Sequence, residues 1–98
     1  IKDVIDETLD KIGDNPVYIT FDLDSLDSSV APAVSNIEPS FTGFTIDEAK
    51  ALIQSVKNKN VIGGDVVCLM PTKDQKNNIT SMVAASIMFE IISVIAYK

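Results

Sequence analysis

Apolar residues recur along the chain in five segments, and the spacing differs between them. The first 12 residues carry apolar side chains three or four positions apart with acids and lysines between them, which predicts an amphipathic helix. Gly13 suits the C-cap of this helix, and Pro16 prevents its continuation. Residues 17–23, VYITFDL, are rich in β-branched and aromatic side chains and predict a buried strand.

A second helix and a second strand follow a long loop. Residues 25–43 show no apolar period, and ordered loops of this length are often functional. Thr45 and Glu48 form a capping box, which predicts that a helix begins here; its apolar stripe ends near Asn58. Residues 61–69, VIGGDVVCL, predict the second strand, in which Gly63 and Gly64 permit a bulge or a close approach of the backbone.

The final helix, predicted over residues 79–96, is apolar on nearly every side. Glu90 lies near its middle, and burying this carboxylate in lipid would be costly, so we expect a helix packed within protein and no membrane partner. A helix of this kind needs more neighbours than 98 residues supply. We therefore expect a larger parent protein or a homo-oligomer.

The order helix, strand, helix, strand, helix predicts an α/β fold of three α/β/α layers with a mostly parallel sheet. The hydrophobic content of 46% and the charged content of 22% are ordinary for a soluble globular domain. The net charge of −6 argues against a nucleic-acid partner, which would need clustered Lys and Arg. Cys68 is the only cysteine, which favours a reducing, cytoplasmic location, and its side chain is interpreted as a small buried hydrophobe.

The candidate chemistry lies in the segment FDLDSLD, residues 21–27, where the first predicted strand ends. Ligands gather at the carboxyl ends of strands in α/β sheets. On an extended backbone Asp22 and Asp24 would point to the same side. Two neighbouring carboxylates repel unless a cation or a proton intervenes, and hard divalent ions such as Mn²⁺ or Mg²⁺ prefer oxygen ligands. Asp65 stands alone in the second strand and is predicted to be a hydrogen-bonded, structural acid.

A strand followed by F-D-x-D-x-L-D and then A-P is similar to the C-terminal metal motif of the ureohydrolases, the arginase, agmatinase and formimidoylglutamase family. The matching residues are Phe21, Asp22, Asp24, Leu26, Asp27, Ala31 and Pro32. The strand G-x-D-V-V at residues 63–67 and the closing helix with A-A-S-I-M-F-E-I-I resemble later family segments. The resemblance implies that residues 1–98 are the C-terminal, incomplete segment of an arginase-like domain.

The resemblance also implies a manganese-dependent hydrolase that cleaves C–N bonds of small cationic or amidine substrates. Asp22 would be shared by two Mn²⁺ ions, Asp24 would bind one of them, and Asp27 would be a loop-capping acid or lie just behind the ligands. A hydroxide held between the ions would attack the guanidinium or formimidoyl carbon. The remaining ligands, two histidines among them, would lie in an upstream part of the same protein, since this chain has no histidine. No catalytic residue is assigned within the chain.

Two departures from the family pattern leave alternatives open. Cys68 and Met70 stand where the family normally has Glu and Asn, and residues 33–39 match the usual Gly/Thr-rich loop poorly. The first departure favours, as one alternative, a catalytically degenerate subunit or interaction module, and the second obscures the substrate class. A strand with D-x-D also resembles the haloacid-dehalogenase-like phosphatases, although Ser25 and Leu26 replace the Gly-Thr that such enzymes have.

Overall fold

The structure, a computed structural model that describes residues 2–34 and 43–97, contains a two-stranded parallel sheet and α-helices. The elements are α1 (Lys2–Ile12), β1 (Val17–Asp22), α2 (Ile46–Gln54), β2 (Val61–Val67) and α3 (Ile79–Ala96). Single 3-10 turns occupy Leu23–Ser25 and Pro71–Lys73. The parallel pairing of β1 with β2 confirms the predicted α/β class.

The register of the two strands places their carboxyl ends side by side. Asp22, the last residue of β1, is paired with Val67, the last residue of β2. The register shifts between Val17 and Tyr18, so β2 carries one extra residue near the strand start. Because both strands stop at the same edge, the residues that follow them are brought together there.

Gly64 lets α3 pack closely against the sheet. A Cβ built at this position would lie 2.6 Å from Cγ2 of Ile91 and 2.9 Å from the backbone oxygen of Ile19, distances that real Cβ atoms do not show. The close approach predicted for the glycine pair is therefore present. It gives α3 a buried face, in which Ile87 and Ile91 are almost completely inaccessible to solvent.

The core lies between the sheet, α2 and α3. Its buried residues come from both strands, from the turn after β1 and from the inner faces of the two helices. They are Phe21, Leu23, Leu26, Ala31, Val34, Ala49, Ile53, Val56, Val61, Ile87, Ile91 and Val94. Since Leu23 and Leu26 belong to this core, the segment with the candidate metal ligands is anchored on both sides of Asp24.

The opposite side of α3 is exposed in this chain. Met82, Phe89 and Ile92 are 63%, 68% and 56% exposed, and only 22% of the residues in this helix are buried. With 18 residues and a mean hydropathy of 2.0, α3 is long and apolar enough to cross a membrane by length and composition alone. At the same time, Gln54 of α2 donates a 2.6 Å hydrogen bond to Glu90, so protein packing already contacts this acid.

The N-terminus of α3 is held by Asp74. Its carboxylate accepts hydrogen bonds from the backbone N–H groups of Thr80 (3.1 Å) and Ser81 (2.8 Å) and from the Ser81 hydroxyl (2.7 Å). Partial burial by itself would raise the pKa of Asp74, but the bonds from Ser81, Thr80 and Gln75 outweigh it and lower the pKa to about 2. The charged carboxylate therefore supplies the cap that Asn78, in a left-handed conformation, does not make with its side chain.

Three predicted boundaries were too long, each for a local reason. β1 ends at Asp22 rather than at residue 23, because the Asp22 carboxylate accepts a hydrogen bond from the backbone N–H of Asp24 and starts a 3-10 turn. β2 ends at Val67 rather than at residue 69, because Cys68 has a φ of 76°, outside the strand region. α2 ends at Gln54 rather than near residue 58, and the next turn has i→i−3 hydrogen bonds.

Backbone hydrogen bonds tie the described parts of the predicted loop to its surroundings. Phe44 N–H donates to the Ser25 carbonyl (2.9 Å), and Met70 N–H donates to the Ala33 carbonyl (2.9 Å). The buried Thr80 hydroxyl accepts from Ala33 N–H at 3.2 Å. Most of residues 33–39, the segment compared with the Gly/Thr-rich loop, lies outside the described residues, so its poor match remains an observation from sequence.

Candidate metal centre

Asp22 and Asp24 meet at the carboxyl end of β1, but not in the way an extended strand would bring them together. Asp24 lies in the 3-10 turn that begins directly after Asp22, so the expectation of two same-side residues on one strand was wrong. The contact is made by the turn: Oδ1 of Asp22 accepts the Asp24 N–H at 2.8 Å. The two carboxylates are therefore held close by a local backbone hydrogen bond rather than by the pleat.

Buried leucines fix the orientation of this turn. Leu23 and Leu26, on either side of Asp24, are 0% and 2% exposed. The Ser25 hydroxyl donates to the Asp22 carbonyl at 2.7 Å and closes the turn further. Since the side chains of Leu23 and Leu26 are buried in the core, Asp22 and Asp24 lie at the edge of the sheet.

Cys68 joins the two aspartates. It follows β2 directly, at the same edge of the sheet, and its Sγ lies with one carboxylate oxygen each of Asp22 and Asp24 in a cluster whose atoms are all within 4.8 Å of one another. The residue is half-buried and belongs to this polar cluster, so its interpretation as a small buried hydrophobe was wrong.

The position of Cys68 directly after the second predicted strand was a sequence signal that it could lie near the two aspartates. If two parallel strands end together, the residue just after β2 lies beside the residues just after β1. Finding it required the register between the strands, and the extra residue near Val17 shifts that register by one position. The separate sequence segments do not reveal such a shift.

The cluster is electrostatically suited to a cation. Burial is the main cause that raises the pKa of the Cys68 thiol, followed by its hydrogen bond to Asp22 and by the negative charges of Asp22 and Asp24. Ligand atoms on one ion lie at most about 4.5 Å apart when the bonds are about 2.0–2.3 Å long. Small side-chain rotations would therefore let these three donors share one divalent ion, and the set of two carboxylates and a thiol fits such an ion.

Asp27 is placed in the loop beyond the turn. Its Oδ1 accepts from the Ser29 N–H at 2.9 Å and from the Ser29 hydroxyl at 2.7 Å. These two bonds lower the pKa of Asp27 against the opposing effect of burial, with a smaller contribution from the Gly43 N–H. Its carboxylate is thus engaged in holding the loop, and a role behind the metal ligands stays a prediction.

Asp65 lies on the solvent-facing side of the sheet and connects the two strands. Its carboxylate accepts from the Tyr18 hydroxyl at 2.8 Å and from the Thr20 hydroxyl at 2.6 Å. Hydrogen bonding, first from Thr20 and then from Tyr18, lowers the pKa of Asp65 against the effect of burial. The hydrogen bonds predicted for this acid are present.

The carboxyl edge of the two parallel strands carries two aspartates and a cysteine. This arrangement is typical of α/β proteins that bind ligands beyond the ends of their strands. The sequence model of the Arginase family matches residues 1–93. The chain belongs to the Arginase family. This confirms the resemblance to the ureohydrolases and decides against the haloacid-dehalogenase-like alternative.

Individual relatives agree with the family. An agmatinase of Klebsiella pneumoniae subsp. pneumoniae is 39% identical over 98 residues, which cover 100% of this chain and 31% of the relative. The structure of proclavaminate amidino hydrolase from Streptomyces clavuligerus matches with a TM-score of 0.87 and 31% identity over 96% of this chain and 31% of that one. Formimidoylglutamase from Bacillus subtilis matches with a TM-score of 0.80 and 30% identity over 93% and 29%. The chain thus spans about 31% of the length of the curated relatives it matches.

Proposed function

We propose that this chain is the C-terminal segment of a manganese-dependent hydrolase that cleaves a C–N bond of linear amidines, either guanidino or formimidoyl compounds. The observation that carries the proposal is the cluster of Asp22 and Asp24 at the carboxyl edge of the sheet, in a chain that belongs to the Arginase family. Relatives with the names agmatinase, amidino hydrolase and formimidoylglutamase support this substrate class.

The residues of this chain would hold and orient the ion. Asp22 and Asp24 offer hard oxygen donors, which suit Mn²⁺. A bound divalent ion supplies activated water for attack on the amidine carbon at neutral pH. The hydrogen bond from the Asp24 N–H to Asp22 Oδ1 would help to hold the Asp22 carboxylate in place for coordination. The acidic rim and the net charge of −6 favour a cationic substrate over an anionic one.

The rest of the protein would complete both the site and the fold. Among its described residues the chain brings two carboxylates and one thiol together, and its sequence contains no histidine, so further ligands would come from the upstream part. The exposed apolar side of α3, with Met82, Phe89 and Ile92, would be covered by that part or by a second subunit of a cytoplasmic homo-oligomer. Packing against protein rather than lipid is supported by the Gln54–Glu90 hydrogen bond.

The test is an assay of the intact protein that contains this chain. The purified protein should be freed of metal with a chelator, reloaded with Mn²⁺ and offered arginine, agmatine, formimidoylglutamate and a guanidino acid, with urea or formamide as the detected product. We expect release of product from at least one substrate, loss of that activity on chelation and its return with Mn²⁺.

One control and two possible outcomes make the assay decisive. An aryl phosphate monoester should remain intact, since no phosphatase chemistry is proposed. Tight metal binding without hydrolysis of any amidine would support the degenerate-subunit alternative, which is favoured by Cys68 and Met70. Absence of both metal binding and hydrolysis would contradict the proposal.

A further inference from the structure

We infer that Cys68 is a third ligand of the proposed metal centre, through its sulfur, and that it makes the centre prefer thiophilic divalent ions more than its two aspartates alone would. This inference rests on the proposed function, because it assumes that Asp22 and Asp24 bind a metal ion. It adds the chemical character of the site: the donors from this chain would be one thiolate and two carboxylates.

The placement of Cys68 follows from the sheet. Asp22 and Val67 are register partners at the ends of β1 and β2, so Cys68 is the first residue beyond β2 at the edge where the Asp22–Asp24 turn lies. Its left-handed φ of 76° breaks the alternation of the strand. The sulfur then lies within 4.8 Å of a carboxylate oxygen of both aspartates.

The Cys68 thiol therefore lies beside the Asp22 carboxylate. When a divalent ion binds, the S–H proton passes to water as the sulfur–metal bond forms. The Asp22 carboxylate would bind the same ion. One divalent ion would thus take the place of the thiol proton among the donors of Asp22, Asp24 and Cys68, which already lie close together.

Thiolate sulfur changes the order of metal affinities. Mn²⁺ and Mg²⁺ favour oxygen ligands, whereas Co²⁺ and Zn²⁺ gain more from a sulfur donor. Replacing the thiol with a hydroxyl keeps the size of the side chain roughly the same and removes the soft donor. We therefore expect Cys68→Ser to weaken Co²⁺ and Zn²⁺ binding by at least about tenfold, by comparison with the 10–100-fold effects of outer-shell changes. Mn²⁺ affinity should change much less.

The experiment uses Co²⁺ as a spectroscopic probe of the intact, metal-free protein. Co²⁺ titration of the unmodified protein should produce a sulfur-to-cobalt charge-transfer band in the near ultraviolet. Cys68→Ser should abolish the band while visible d–d bands still report bound Co²⁺. Met70→Leu, which removes the sulfur of the residue two positions after Cys68, should keep the band. Asp22→Asn should weaken Co²⁺ binding as a whole.

The outcomes separate the inference from the proposed function. If Co²⁺ binds in an Asp22-dependent way but the charge-transfer band is missing, or persists in Cys68→Ser, Cys68 is not a ligand and the metal centre stands. If Asp22→Asn leaves Co²⁺ binding unchanged, the proposed centre itself is wrong. X-ray absorption of the unmodified Co²⁺ protein tests the inference even if a variant fails to fold. A cobalt–sulfur distance of roughly 2.3 Å is expected, as in zinc thiolates. A coordination shell of oxygen and nitrogen alone would overturn the inference.

Discussion

Replacing Asp22 with alanine in the intact protein should lower amidine hydrolysis by about 100-fold or more, since changes merely behind a metal ligand already cost about 10–100-fold. Asp22 is the aspartate that the sheet itself positions, at the end of β1. Its carboxylate accepts the Asp24 N–H and lies within 4.8 Å of the Cys68 sulfur. Its removal takes away a donor and loosens the turn that carries the second donor. The metal content after dialysis, measured by elemental analysis, should fall together with the activity.

Asp10→Ala is the matched control for this variant. Asp10 is an exposed acid of α1, away from the sheet edge, and its removal changes the net charge by the same amount. Activity and metal content of Asp10→Ala should stay near those of the unmodified protein. An Asp22→Ala protein that keeps its full metal content would contradict the role of Asp22 as a ligand.

The second large effect is a separation of roles between Asp24, a proposed metal ligand, and Asp65, a structural acid. Asp24→Asn should lose activity and manganese affinity while the melting temperature of the metal-free protein stays close to the parent value. Asp65→Asn should lower that melting temperature. Tyr18 and Thr20 donate to different oxygens of the Asp65 carboxylate, and in the amide one of these acceptors is replaced by an NH₂ donor. Activity that remains below the melting transition should keep its normal manganese dependence.

The pH dependence gives this comparison a further check. Because the pKa of Asp65 is lowered from its ordinary value of 3.8 in the folded state, its charged form stabilises the fold at pH values above 3.8. This stabilisation is lost as the pH falls through the folded-state pKa. The difference in melting temperature between the parent and Asp65→Asn should therefore be full near neutrality and shrink below about pH 4. A strong shift of the manganese midpoint in Asp65→Asn, with unchanged stability, would refute the division.

The elements were predictable from sequence because local signals specify them. The capping box of Thr45 and Glu48 is present in the structure with both of its hydrogen bonds, and α3 has the bounds that its apolar run predicts. Gly13, with a φ of 54°, follows α1 in the left-handed conformation typical of a helix end. In each case neighbouring residues alone supply the contacts that decide the structure.

The details of the site depend on contacts that local patterns do not contain. Asp22 ends β1 by capping its own following turn, so Asp24 is positioned by a 3-10 turn and not by strand alternation. Cys68 reaches the aspartates only because β1 and β2 end in register after an irregularity near Val17. A motif search can find the two aspartates, but the third donor requires the pairing of strands that are nearly 40 residues apart in sequence.

The central claim, that Asp22 and Asp24 hold a catalytic metal ion, is tested most directly by anomalous diffraction at the manganese edge from crystals of the intact protein grown with Mn²⁺. We predict an anomalous peak in direct coordination contact with the carboxylates of both Asp22 and Asp24, at the carboxyl edge of β1 and β2. Manganese peaks elsewhere in an active protein, with no peak between these two side chains, would contradict the account.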